Sequence, residues 1–357
     1  MMRPLAAIGV SLALAFTGCA ANEGNNSGSG DSSSSLEGTL QGTGASSMKV
    51  AQENWVSAFQ QKNTGVTINY SPEGSGAGRE AFMGGGADFA GSDRAFKDEE
   101  NKAGKFGKCT PESIAYDLPL YISPIAVVFN VKGVDKLQLD AATTAGIFKG
   151  EIKKWNDPKI AKLNPDAKLP NANITAVHRS DDSGTTENFT DYMNKVAPKV
   201  WDKEADGEWP YSGGEAAKGT SGVVAAVQNG VNTIGYADAS QVGELKVAEI
   251  GEGGKYSGPT ADAAAKVVEN SPQVEGRHEH DLALKLDRKA EGYPIVLVAY
   301  VMVCQDYKDD KTAELVKSYA TYMASDEGQK KAQETAGSAP LSAALSDKVK
   351  ASIESVK

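Results

Sequence analysis

The chain has 357 residues, of which 40% are hydrophobic and 24% charged, the proportions of an ordinary soluble globular protein. Its net charge of −10 argues against nucleic acid as a partner, since that polyanion rewards basic patches. An anion bound by such a chain has to be held by local hydrogen bonds against the overall field.

At the N-terminus Arg3 precedes an apolar stretch from Leu5 to Phe16, then Thr17, Gly18 and Cys19. A positive start, a short apolar core and a small-residue exit describe a secretory signal over 1–18. The apolar run is too short for a membrane span, which takes roughly 20 residues. A small residue directly before cysteine resembles the lipobox of bacterial lipoproteins, which implies that Cys19 is acylated. Simple secretion with Cys19 incidental is the alternative, and Phe16 departs from the aliphatic residue usual three places before that cysteine. Residues 19–37, largely Ser, Gly, Asn and Asp with no aromatic side chain, read as a flexible tether that lets an anchored domain clear the membrane.

The rest of the chain exceeds what one hydrophobic core usually organises, so two lobes are expected. Strand-like segments at Val66–Tyr70, Ala87–Ala90, Pro124–Asn130, Ile174–His178 and Pro294–Val303 alternate with helical patterns at Met48–Lys62, Phe189–Val200, Gly222–Asn229 and Ala313–Ala324. That alternation predicts α/β lobes whose sheets are covered by helices. Cys109 and Cys304 remain beside Cys19; in an oxidising compartment an even pair suggests a disulfide, with two buried free thiols as the alternative. His278 and His280 flank Glu279 in a polar stretch without further ligands at suitable spacing, and read as surface residues rather than a metal site.

Three places share one design, a strand-like segment followed by Gly with Ser or Thr and then a helical pattern: Gly42–Ser47, Gly74–Gly78 and Asp181–Thr186. Each fits a helix N-terminus capped by a hydroxyl residue. Such ends present free N–H groups and the positive pole of the helix dipole to an anion. One such loop is ordinarily just a cap, whereas three in one chain suggest convergence on a single ligand. In the third loop Arg179 can grip an anion bidentately while Asp181 holds the guanidinium; a purely structural ion pair is the alternative. Asp93 would repel a fully charged anion. Phosphate near neutral pH still carries a proton that a carboxylate can accept, whereas sulfate has none, so Asp93 would select phosphate.

On these residues the chain resembles the phosphate-binding proteins of high-affinity bacterial phosphate ABC transporters. The matching segments are GTGASS (42–47), YSPEGSGAG (70–78), DFAGSD (88–93), GIFKGEIKKWNDPKIAKLNP (146–165), HRSDDSGTTENF (178–189), GTSGVVAAV (219–227), TIGYAD (233–238) and GSAPL (337–341). The resemblance implies a type II-like periplasmic binding protein of two lobes, with a hinge and a ligand cleft between them. Residues 38–118 plus 292–357 would form lobe I and 119–291 lobe II. The implied phosphate ligands are Ser46, Ser47, Ser75, Asp93, Arg179, Ser183, Gly184 and Thr185, with Asp181 bracing the arginine. It further implies a monomer that needs no cofactor or metal, captures inorganic phosphate outside the cytoplasm and delivers it to membrane permease subunits. Two positions depart from the pattern: Ser47 stands where an aromatic residue is common, and Asp182 replaces a frequent glycine, adding negative charge beside the site.

Two other readings compete. A receptor for another oxyanion, such as sulfate or molybdate, would use the same fold and helix ends, and Asp93 argues against it. A serine acyl-enzyme would use Ser46 and Lys49, which match Ser-x-x-Lys, but the Lys-Thr-Gly element of that class is absent.

Overall fold

The computed structural model describes residues 36–357. The signal at 1–18, the lipidation site Cys19 and the tether as far as residue 35 lie outside the described residues. The tether was expected to run to 37, but regular structure already begins there.

Strand β1 (Glu37–Gly44) leads through a 3-10 turn (Ser46–Met48) into helix α1 (Lys49–Lys62). β2 (Gly65–Ser71), α2 (Ser75–Met83) and β3 (Phe89–Ser92) follow. β1 lies between β2 and β3, parallel to both, and α1 covers the sheet with Trp55 and Phe59 buried. The long β4 (Ala115–Asn130) comes next. It is followed by β5 (Gln138–Leu139), α3 (Ala141–Phe148), α4 (Pro158–Leu163), β6 (Thr175–Arg179), α5 (Gly184–Val196), β7 (Glu215–Ala217), α6 (Gly219–Asn229) and β8 (Thr233–Asp238). Short β9 (Lys246–Val247), β10 (Glu249–Glu252) and β11 (Lys255–Ser257) precede α7 (Ala261–Glu269) and β12 (Val296–Cys304). Helices α8 (Asp310–Ala324), α9 (Asp326–Ala336) and α10 (Ala343–Glu354) close the chain.

Among the described residues the main sheet runs β2-β1-β3-β12-β4-β8-β6-β7. β4 makes it continuous by changing partner along its length. Ala115 to Pro124 pair antiparallel with β12, and Ile125 to Asn130 pair antiparallel with β8. The sheet therefore has two halves, β1, β2, β3 and β12 on the first part of β4, and β6, β7 and β8 on the second. α7 and the chain after it rest on the first half: Ala264 and Val267 pack with Ile122, Val296 and Val298, and Leu282 N–H donates to the Asp117 carbonyl at 3.2 Å.

The expected strand at 124–130 begins nine residues early because prolines at 119 and 124 do not end it. A proline cannot donate to the ladder and is tolerated at a bulge or where pairing changes. Pro119 lies at the register shift opposite Ala299 and Tyr300, and Pro124 at the last position paired with β12. Helix α5 starts at Gly184 rather than at Phe189, because Ser183 accepts from the Thr186 N–H at 3.2 Å and caps it there. It stops before Pro198, whose ring disfavours helical backbone in the residue before it.

Cys109 and Cys304 form a disulfide with their Cα atoms 5.4 Å apart, spanning 195 residues of sequence. Cys304 is the last residue of β12, paired with Ala115 at the start of β4, so the bridge fastens the outer end of that strand pair. Closing so long a loop restricts the unfolded chain, and loss of a native bridge costs roughly 2–5 kcal/mol. Replacing both cysteines by alanine is expected to lower the unfolding free energy by about that amount in chemical denaturation; a shift below about 1 kcal/mol would show that the bridge adds little to the fold.

Candidate functional site

The three glycine-hydroxyl loops meet at the seam between the half-sheets. Two of them depart from the expected capping. The cap position is Ala45 in the first loop and Gly74 in the second, neither with a side-chain cap bond, and only Ser183 in the third loop is a hydroxyl cap. The reason lies in where the hydroxyls point. A capping oxygen is consumed by its own helix, whereas Ser46, Ser47 and Ser75 sit just inside their turns and bond elsewhere, Ser46 to Thr220 across the seam and Ser47 and Ser75 to Asp93. Gly74, at φ +112°, takes a backbone conformation that a side chain would strain.

Asp93 lies at the centre. Ser47 Oγ donates to its Oδ1 at 2.5 Å from the first half, and Thr185 Oγ1 donates to its Oδ2 at 2.8 Å from the second. Its own N–H donates to Ser75 Oγ at 3.1 Å, and Asn188 Nδ2 donates to its carbonyl at 2.7 Å. A carboxylate has about four acceptor positions, so two hydroxyls leave capacity for further donors. Burial pushes the Asp93 carboxyl up, and the Ser47 and Thr185 hydroxyls, then the charges of Arg179 and Arg79, oppose that push. Gly184 is required here: a Cβ on it would fall 2.6 Å from Asp93 Cβ and 2.7 Å from Ser75 Oγ.

Arg179 ends β6, almost wholly buried, with its Nε donating to Asp181 Oδ1 at 2.8 Å and Nη2 bonded to Oδ2. Burial pushes the Asp181 carboxyl up, but the hydrogen bonds and charge of Arg179 and the Gly219 N–H, 3.0 Å away, hold it below the usual range. Behind the arginine its N–H donates to Tyr236 Oη at 3.2 Å, and Phe189 stacks on the Tyr236 ring at 4.4 Å. The guanidinium is thereby fixed in plane and position. The seam thus brings together Ser46, Ser47, Ser75, Asp93, Ser183, Gly184 and Thr185, and the charge of Arg179 is felt at Asp93. Ser46 Oγ bonds Thr220 Oγ1 at 3.0 Å and accepts from the Thr220 N–H at 3.1 Å, so its partner is Thr220 and not Lys49.

Several contributors were not assigned to the site from the sequence. Gly219-Thr220-Ser221-Gly222 is a fourth loop of the same design, and its repeat of the glycine-hydroxyl-helix pattern was the available signal. Arg79 on α2 donates to Ser92 Oγ at 3.0 Å and pairs with Asp182 at 3.1 Å. The added negative charge at Asp182 therefore has its own counter-charge. Arg94 pairs with Glu187 at 3.0 Å, and Gln241 Nε2 donates to the carbonyls of Ser46 and Ser47 at 2.8 and 3.3 Å. Scarcity was the signal for these arginines: only Arg79, Arg94, Arg179, Arg277 and Arg288 follow Arg3, and each is at least half-buried in an ion pair. Among the described residues no cluster of His, Cys, Asp and Glu could hold a metal ion. Chemically the seam offers a ring of hydroxyl and N–H donors, one guanidinium and one carboxylate acceptor, a set suited to a small oxyanion that still carries a proton.

A family model described as a PBP superfamily domain matches residues 29–327. The chain is 36% identical over 290 residues to phosphate-binding protein PstS 3 of Mycobacterium tuberculosis, covering 79% of this chain and 77% of that protein. It is 33% identical over 321 residues to phosphate-binding protein PstS 2 of the same organism, covering 86% of each. In three dimensions it resembles a high affinity periplasmic phosphate-binding protein solved with phosphate bound, at a TM-score of 0.69 and 20% identity, over 88% of this chain and 93% of that one. That likeness establishes the fold as the two-lobed α/β architecture expected from the sequence.

Where the half-sheets meet, Asp238 ends β8 fully buried, accepting from Tyr121 Oη at 3.0 Å and from Ser240 Oγ at 2.5 Å. Burial pushes its carboxyl up to about 7 against those bonds, from an ordinary 3.8. Between those two values the folded protein binds more protons than the unfolded chain, so stability falls as pH rises through that window. Asp93 and Asp117 are raised in the same direction. Asp238→Asn is therefore expected to flatten the fall in melting temperature between about pH 4 and 7 without abolishing it; an unchanged slope would mean that Asp238 does not titrate there.

Proposed function

The chain belongs to the phosphate-binding proteins of the PBP superfamily, and on that footing we propose that it captures inorganic phosphate outside the cytoplasm and hands it to the permease subunits of an ABC importer. The observation that carries the reading is Asp93, a buried carboxylate held by one hydroxyl from each half of the sheet and ringed by donors. The donors neutralise the anion's charge, and the carboxylate accepts its remaining proton. In this reading Ser46, Ser47, Ser75, Arg179, Ser183, Gly184 and Thr185 donate to phosphate, Asp93 accepts from it and Asp181 orients Arg179. The lobes in this reading are 38–118 with 292–357 and 119–291, although β4 changes partner only between Pro124 and Ile125 and α7 with the chain after it lies on the face of the first half-sheet. In this reading the bound anion leaves unchanged, as befits a member of a family of substrate-binding transport receptors. The protein acts as a monomer.

Calorimetry with phosphate and sulfate in parallel tests this. Arg179→Ala removes a charge-assisted fork, and hydrogen bonds to charged groups contribute roughly 1.5–3 kcal/mol, so phosphate affinity should fall at least about tenfold at every pH. Asp181→Asn should weaken it less. Asp93→Asn removes the acceptor and offers a donor, so sulfate should gain on phosphate. An unchanged preference between the two anions would remove Asp93 as the basis of selectivity and reopen the reading as a receptor for another oxyanion.

Cys19 is the proposed membrane anchor, on the strength of its place directly after Gly18 at the end of the signal. Mass spectrometry of the natively processed protein should find the chain starting at a lipid-bearing Cys19; an unmodified Cys19 or another N-terminus refutes the anchor.

A further inference from the structure

Asp182 raises the question of what a second carboxylate does beside an anion site. Its place is set by close packing on both sides. The Gly76 N–H at the start of α2 donates to the Asp182 carbonyl at 3.1 Å, and a Cβ on Gly76 would lie 2.2 Å from Asp182 Oδ2. On the other side a Cβ on Gly207 would lie 2.0 Å from Asp182 Oδ1. The carboxylate is thereby pressed against α2, where the buried Arg79 approaches its two oxygens at 3.1 and 3.4 Å. The other arm of Arg79 donates to Ser92 Oγ at 3.0 Å, one residue before Asp93. One guanidinium therefore joins the loop after β6, in the second half-sheet, to the strand end that carries the central carboxylate in the first.

A second pair lies alongside. Arg94, held by Glu100 at 2.6 and 2.9 Å within its own half, pairs at 3.0 Å with Glu187 in the first turn of α5. A third, Lys218 with Glu73 at 2.7 Å, crosses the seam with both partners largely exposed, where such a pair adds little. All three consist of protein groups on both sides, so their attraction acts whether or not an anion is bound.

We infer that Arg79–Asp182, seconded by Arg94–Glu187, is an ionic clasp across the cleft that favours lobe closure and slows release of the bound anion. Asp182 is on this account a positioning residue and touches no ligand. The inference rests on the phosphate-capture reading for its release step but not for its effect on closure. A clasp and a repulsive charge predict opposite signs. If Asp182 acts on the anion by repulsion, its neutralisation tightens binding. If it acts as a clasp, its neutralisation loosens binding, because the binding-competent closed state becomes less populated and apparent affinity falls with that population.

The test uses the mature protein, Asp182→Asn and, as a second isosteric change, Glu187→Gln. Stopped-flow release of phosphate is measured alongside the distance between spin labels on exposed Gln61 and Lys203, one on each half, with no phosphate present. Each variant is expected to release phosphate about twofold to fivefold faster, the scale of a partly screened charge pair. The ligand-free distance distribution should shift towards longer separations, and raising salt in the parent should shift it the same way. Tighter phosphate binding in Asp182→Asn, or label distances that do not move in either variant, would overturn the clasp. Failure of the parent to bind phosphate would instead overturn the functional reading, and the label distances would still decide the clasp.

Discussion

A carboxylate taken out of water has to be hydrogen-bonded, and Asp93 meets that demand only when both halves of the sheet are in place. Ser47 approaches it from the turn after β1 and Thr185 from the first turn of α5, parts of the chain nearly 140 residues apart. Withdrawing the second half would remove the Thr185 hydroxyl and leave water to take its place on the carboxylate. The same requirement explains why the loops are built of glycine and small hydroxyl residues. Gly184 must pass within contact distance of Asp93 Cβ, and any side chain there would hold the halves apart.

The support for this centre is deep. Asn188 donates to the Asp93 carbonyl and accepts at 2.5 Å from Arg288, which in turn donates to the Val296 carbonyl of β12 at 2.6 Å. Arg288 also pairs with Asp191 on α5 at 2.7 Å. A buried guanidinium thus ties β12 of one half to the helix that carries Gly184 and Thr185 of the other. On the opposite flank Gln241, three residues beyond Asp238, holds the carbonyls of Ser46 and Ser47. The first loop is therefore held both through its hydroxyls and through its backbone.

Much of this was legible in the sequence, and what was missed has identifiable causes. The alternation of strands and helices gave the fold class, because each element buries one face and carries its period. The residues of the three loops proved to lie together, since glycine followed by hydroxyl residues before a helix is a local pattern with a local cause. The caps were misjudged at Ala45 and Gly74, because sequence shows which residue can cap and not whether its oxygen is wanted elsewhere. The early start of β4 was hidden by Pro119 and Pro124, whose tolerance depends on a bulge and a change of partner that only tertiary pairing supplies. Arg79 and Asp182 stand 103 residues apart, so neither could announce its partner. The extra acid looked like a cost to the site until its counter-charge was found on α2.

The position of β1 has a mechanical consequence. The described chain enters the domain at its first strand, and that strand is internal, clasped between β2 and β3 with both neighbours running parallel to it. A pull on the chain at Leu36 is directed along β1. It would load the ladder from Glu37↔Gly65 to Thr43↔Ser71 in shear, all rungs together, instead of peeling them one at a time from an edge. The far end of that strand is the turn bearing Ser46 and Ser47, so the line of force runs from Leu36 to the hydroxyls that bond Thr220 and Asp93.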